Sequence, residues 1–253
     1  MRYQGSKYRL REVINAFVES NIGKDDYYVE PFMGGCNSLA YVNHHKKIGA
    51  DYNKHMVSLW NDIKNGKFIP PSELTKEEYY SIKDSYEKND GIFTDSLIGY
   101  VGSSCSYGSG WWNGYASYNE KKKENHIKEA YNGIIRQIKN FSYLDSCGFI
   151  NCSYDELDIP DRSFVYCDPP YRSTHEYESQ FDSDAFWEWC RIKTKNGCKI
   201  LVSEYDAPSD FVCIWSKEMQ DGMKMNNGKK VEKMFIHKSI ENAFVNPFLK
   251  KAA

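Results

Sequence analysis

The chain has 253 residues, of which 41% are apolar and 27% charged, and its net charge is −2. Such a length fits one large domain or one domain with an insertion, and the composition is ordinary for a globular fold with a full core. Apolar runs of four to six residues exclude a membrane-spanning helix, the polar opening MRYQGSKYRL excludes a secretory signal, and no heptad or Gly-X-Y period is present.

In chain order, residues 7–20 place Leu10, Val13, Ile14, Phe17 and Val18 on one stripe at helical spacing. Residues 26–29 read as a short strand, broken by Pro31 and the Gly34-Gly35 pair. A helix is expected over 37–45, a second strand over 48–51, and a helix over 54–64 that stops near Gly66 and Pro70-Pro71. Strand, Gly-rich turn, helix, strand, helix is the opening of a doubly wound α/β sheet. The rhythm then breaks. Residues 67–120 hold a short helical piece at 77–86 and then GYVGSSCSYGSGWWNGYASYN, which follows neither period. A helix over 124–140 restores it, and strands at 163–167, 199–203, 211–216 and 230–238, with a helix at 184–194, complete it. The expectation is an α/β, Rossmann-like sheet built from 1–68 and 146–253, interrupted by an inserted helical and loop unit over 69–145.

Charge is unevenly spread. Residues 151–190 carry ten acids against two arginines, 217–251 carry eight lysines against four acids, and 1–11 carry Arg2, Lys7, Arg9 and Arg11 without an acid. A polyanion on one face is compatible with this, and so is an ordinary solvated surface. The eight cysteines form no C-x-x-C pair, and the six histidines show no H-x-x-x-H or H-E-x-x-H spacing. Reduced cysteines in or near the core, and no metal, are therefore expected.

Three strand ends carry the candidate chemistry. Asp168-Pro169-Pro170-Tyr171 follows the apolar strand FVYC, and two prolines fix the backbone just past the carboxyl edge of the sheet, where open α/β folds bind ligands. Glu30-Pro31-Phe32-Met33-Gly34-Gly35 follows the first strand, and its glycines allow a ligand close to the backbone and to a helix N-terminus. Asp51-Tyr52-Asn53 closes the second strand with Asp51 falling 21 residues after Glu30, the offset of an acid that accepts from ribose hydroxyls. With no phosphate-binding glycine repeat and no P-loop lysine, an adenosyl ligand lacking phosphate is expected.

The ordered set Arg2-Tyr3-Gln4-Gly5-Ser6-Lys7, Val29 to Gly35, Gly49 to Asn53 and Asp168 to Tyr171 resembles the Dam-type DNA adenine-N6 methyltransferases, the phage and prophage variants above all. The likeness spans nearly the whole chain, since 102–118 and 199–208 also follow that group's habits. It implies a Rossmann-like catalytic domain that binds S-adenosylmethionine, an inserted target-recognition domain, duplex DNA as substrate, and the cytoplasm of a prokaryote or phage-infected host. Tyr3, Lys7, Asp51 and Asp168 match the family's cofactor-contacting positions, with Glu30, Pro31, Phe32, Gly34, Gly35 and Asn53 around them, and Asp168, Pro169, Pro170 and Tyr171 match its catalytic motif. Two places depart from the pattern. Cys36 stands where the first motif's loop usually ends in glycine, and Ser117 precedes Tyr118-Asn119 where GATC-type enzymes carry an arginine, so a GATC target is not carried over.

A base inside a duplex is out of reach, so the target adenine must be extruded, and Tyr171 is the expected platform for it. Arg2, Tyr107, Trp111, Trp112, Asn113, Tyr115 and Tyr118 are the candidates for contacting DNA, with Lys121, Lys122 and Lys123 as phosphate contacts. For the aromatic loop the alternative is packing into the insertion's own core. Two other functions compete: methylation of cytosine N4 or of RNA, whose enzymes more often place Ser or Asn before Pro-Pro-Tyr, and a catalytically silent DNA-binding module, which would not need Asp51 and Asp168.

Overall fold

The computed structural model describes residues 1–117, 125–170, 181–220 and 229–249. Seven strands, β1 (Tyr28–Glu30), β2 (Lys47–Asp51), β3 (Gly148–Asn151), β4 (Phe164–Cys167), β5 (Lys199–Glu204), β6 (Phe211–Gln220) and β7 (Lys229–His237), form one sheet in the order β3-β2-β1-β4-β5-β7-β6. β1 to β5 pair in parallel, whereas β7 runs antiparallel between β5 and β6. The parallel order reverses direction at β1 and β4, which makes their carboxyl ends a topological switch point. The expected Rossmann-like α/β sheet is what the chain forms.

Alternation along the strands sends side chains to two cores. Tyr28, Phe164, Tyr166, Leu201, Met234 and Ile236 face one, and Val29, Val165, Cys167, Ile200, Val202 and Phe235 face the other. The first core takes up α1 (Arg11–Asn21), α2 (Lys54–Lys64), α3 (Lys76–Lys88), α4 (Asp95–Ser104) and α5 (His126–Lys139). The second receives α6 (Ser183–Lys195) through Phe186, Trp187, Trp189 and Cys190. All eight cysteines are free thiols, six of them buried, with Cys152 half-buried and Cys213 exposed. No helix among the described residues is long and apolar enough to cross a membrane.

Three elements differ from the sequence reading. Residues 37–45 hold only a single 3-10 turn, Leu39–Tyr41. The carbonyls that would accept helical bonds there are taken: Lys47 Nζ donates to Leu39 and Val42, and the Ser142 amide donates to Ala40. β3 is a four-residue edge strand of mixed polarity, too short to show a period. α4 is built from DSLIGYVGSS, whose glycines and serines are weak helix formers. Thr94 caps it by accepting from the Leu97 amide, and Gly99 lets it lie directly on α2, since a Cβ there would stand 2.4 Å from the His55 carbonyl oxygen.

The described residues of 69–145 contribute to the main core. Tyr79, Ile82, Tyr100, Val101, Trp112, Ile127, Ala130 and Ile134 are buried in the same cluster as α1, α2 and β4. Trp112 is 7% exposed, stacks on Tyr86 and meets Tyr79 edge-on. Trp112→Ala is therefore expected to destabilise the whole fold by about 3–5 kcal/mol, whereas Tyr107→Ala, at a side chain 68% exposed, should change stability by less than about 0.5 kcal/mol. Chemical denaturation of the two variants checks this; equal midpoints would contradict it.

Candidate active site

The carboxyl ends of β1, β2 and β4 open into one cavity of about 1030 Å³. Tyr3, Lys7, Pro31, Phe32, Gly34, Gly35, Asp51, Asn53, Asp168, Pro169 and Pro170 all line it, so the three strand-end motifs and the N-terminal segment meet at one cavity.

Its floor is the turn after β1. Gly34 has φ +44°, and a Cβ on it would stand 2.6 Å from the Tyr3 ring, so glycine is required both by the backbone and by the ring laid across it. Cys36 also has positive φ, at 53°, which explains why the related pattern carries glycine there. The strained turn is held from behind: Gln137 of α5 donates to the carbonyls of Gly35 and Cys36 at 2.8 and 2.9 Å. Gln137 was invisible to the motif reading, because only α5 packing brings it there.

Asp51 is fixed by two backbone amides, Gly34 N–H to Oδ2 at 2.8 Å and Asn53 N–H to Oδ1 at 2.9 Å. Each carboxylate oxygen keeps a second lone pair for a hydroxyl donor. Burial raises the Asp51 pKa, against the lowering by the Asn53 and Gly34 amides. Asn53 in turn caps α2, accepting from the His55 amide through Oδ1. Phe32 meets Phe181 and Phe186 edge-on and Tyr154 at a tilt, forming an aromatic wall.

Beside the cavity, Lys7 Nζ lies 3.2 Å from Asp168 Oδ1 and 3.5 Å from Glu232 Oε2. The Lys7 side chain is 7% exposed. Burial works to lower its pKa, but Asp168 and Glu232 together outweigh it, and the pKa is raised. The ammonium is therefore charged at neutral pH. Glu232 escaped the motif reading, although one signal was present: alternation along β7 puts it on the face of Met234 and Ile236, where an acid is out of place.

Glu30 behaves differently from the other acids. It does not line the cavity but is buried behind the turn, accepting from Tyr28 Oη at 2.5 Å and Ser38 Oγ at 2.8 Å. Burial pushes its pKa up to about 8, with the Tyr28 and Ser38 hydrogen bonds opposing and the charge of Asp168 adding. The folded state thus holds a proton that the unfolded state releases near pH 4.5, so this stabilising contribution is complete below about pH 4.5 and is lost as pH rises through 8. Glu30→Gln, neutral at every pH, is expected to gain thermal stability relative to wild type between pH 5.5 and 8.5. Parallel melting curves across that range would contradict the buried, protonated state.

The remaining candidates divide. Trp111, stacked on His55, and Asn113 line the cavity, and Tyr107 is exposed nearby in sequence. Trp112 is buried in the core, and the half-buried Tyr115 packs against that core and donates from its hydroxyl to the Leu74 carbonyl. Arg2 is turned onto α5, where Nη1 donates to the His126 carbonyl and lies 3.9 Å from Glu129. Tyr118, Lys121, Lys122, Lys123 and Tyr171 lie outside the described residues. Among the described residues no three His, Cys, Asp or Glu side chains come together as a metal site.

A cavity joining a rigid acid-Pro-Pro segment to a second acid at a Gly-rich turn can hold a nucleoside-bearing ligand and a planar amine side by side. The comparisons with known proteins bear on that geometry. A family described as D12 class N6 adenine-specific DNA methyltransferase matches residues 3–235. A DNA adenine methylase of Haemophilus influenzae is 22% identical over 256 residues, covering 95% of this chain and 86% of its own. One from Escherichia coli K12 is 26% identical over 188 residues, covering 68% of this chain and 64% of its own length. Among solved structures, an rRNA methylase from Streptococcus thermophilus overlays 89% of this chain and 95% of its own with a TM-score of 0.35 and 8% identity.

Proposed function

The chain belongs to the D12 class N6 adenine-specific DNA methyltransferases, and on that premise we propose that it methylates an extruded adenine of duplex DNA in the cavity between Asp51 and Asp168. The observation that carries this reading is the meeting of Asp168-Pro169-Pro170, Asp51 and Lys7 in one cavity.

The donor set fits S-adenosylmethionine. Asp51 is amide-anchored with lone pairs left for two ribose hydroxyls, and Gly34 and Gly35 line the cavity beside it under the Tyr3 ring. Among the described residues that line the cavity, Asp51 and Asp168 against Lys7 give an acidic balance that favours a cationic ligand. When bound, S-adenosylmethionine supplies an electrophilic methyl group.

What remains is the work of the protein. The exocyclic amine of adenine is a poor nucleophile, because its lone pair is delocalised into the ring. Asp168 accepts one N–H of the amine and the Pro169 carbonyl accepts the other, which draws the nitrogen towards a pyramidal form. Positive charge then grows on that nitrogen beside a fixed carboxylate in a partly dry pocket, where electrostatic stabilisation is strongest. The two prolines hold acceptor and carbonyl at one angle, so little reorganisation is needed as the reaction proceeds. Lys7 fixes the carboxylate from behind.

Target choice belongs to the inserted residues 69–145, and within them to the segment 105–117. In support, Trp111, Asn113, Ser109 and Gly110 line the same cavity, and the Gln4 amide donates to the Ser109 carbonyl at 3.1 Å, tying this loop to the cofactor segment. The test is methyl transfer from tritiated S-adenosylmethionine by the purified chain, offered duplex DNA, single-stranded DNA and RNA separately. Label entering duplex DNA alone is expected; label entering RNA at a comparable rate would overturn the choice of substrate.

A further inference from the structure

Three charged side chains from three distant parts of the chain meet beside the cavity. Asp168 follows β4, Lys7 sits in the 3-10 turn Lys7–Leu10, and Glu232 comes from β7. Methyl transfer engages Asp168 directly and Lys7 through it, and leaves Glu232 unused. Glu232 is no surface acid: its side chain is 17% exposed, on the strand face that carries Met234 and Ile236, which are 0% and 1% exposed. An acid kept on such a face is costly unless it is paired, and here it is paired with the ammonium that also meets Asp168.

We infer that Glu232 is a positioning residue, which holds the Lys7 ammonium between two carboxylates so that Asp168 keeps both its orientation and its acceptor strength towards the amine. An ammonium beside a single buried carboxylate would settle wholly on it, spending that carboxylate's lone pairs and cancelling its charge. A second carboxylate at nearly the same distance, 3.5 Å against 3.2 Å, divides the ammonium's three donors. The antiparallel placement of β7 next to β5 is what brings this acid to the site.

This inference rests on the adenine-methyltransferase reading, and the experiment separates the two. Steady-state transfer of tritiated methyl groups to unmethylated plasmid DNA is measured for wild type, Glu232→Gln, Lys7→Met and the double variant. Glu232→Gln should lower kcat at least tenfold while KM for S-adenosylmethionine and for DNA stays within threefold. In the Lys7→Met background the same substitution should change kcat less than twofold, because its effect passes through the ammonium. Wild-type kcat in Glu232→Gln, or effects of the two substitutions that multiply, would overturn the inference and leave the function standing. Should Glu232→Gln fail to fold, Glu232→Asp carries the test, with lowered kcat at unchanged KM expected and unchanged kcat overturning it. A wild-type chain that transfers no methyl group to DNA would overturn the function itself.

Discussion

Asp168→Ala is expected to lower kcat for methyl transfer by at least about a thousandfold while S-adenosylmethionine and duplex DNA still bind. The carboxylate meets the reacting amine and not a phosphate, so its removal strips stabilisation from the transition state and little from the ground state. The fold should survive, because Asp168 lies past the end of β4 and its ring-fixed neighbours Pro169 and Pro170 hold the backbone without it. Asp168→Asn should fall between the two, since an amide oxygen still accepts one hydrogen bond but carries no charge. Single-turnover kinetics at saturating donor checks the series. Turnover by Asp168→Ala within tenfold of wild type would contradict the role given to the carboxylate.

Asp51→Ala is expected to weaken S-adenosylmethionine binding more than about tenfold, a loss of ~1.4 kcal/mol or more. Two effects add. The hydroxyl donors of the ligand lose a charged acceptor, and the amides of Gly34 and Asn53 lose theirs, which frees the turn that forms the cavity floor. Asp51→Asn should cost less, because its oxygen still serves one of these amides. Titration calorimetry decides, and equal affinity of Asp51→Ala and wild type would place the adenosyl pocket elsewhere.

What the sequence disclosed is what local patterning can encode. Alternation and helical spacing placed β1, β2, β4, β5 and α2 within a few residues, and the strand-end acids Asp51 and Asp168 follow directly from knowing where strands stop. The site residues that stayed hidden depend on tertiary contacts between distant segments. Gln137 reaches the turn across 102 residues of sequence, and Glu232 meets a lysine 225 positions earlier, numbers that no periodicity records. The aromatic loop shows the same limit from the other side: composition alone does not separate Trp111, which lines the cavity, from Trp112, which fills the core. The helix expected over 37–45 failed because Lys47 and Ser142 compete for its carbonyls, a tertiary override of local propensity. Glu30, grouped with the cofactor contacts by its place at a strand end, is buried behind the turn, where burial raises its pKa.

The central claim is that this cavity methylates the exocyclic nitrogen of adenine in DNA. Mass spectrometry of nucleosides from the DNA of a host without its own adenine methylation tests it directly, with the chain expressed either unaltered or as Asp168→Ala. N6-methyladenine appearing with the unaltered chain and absent with the variant is the expected result. N4-methylcytosine in its place, or unmodified DNA from cells that hold the folded, unaltered protein, would contradict the account.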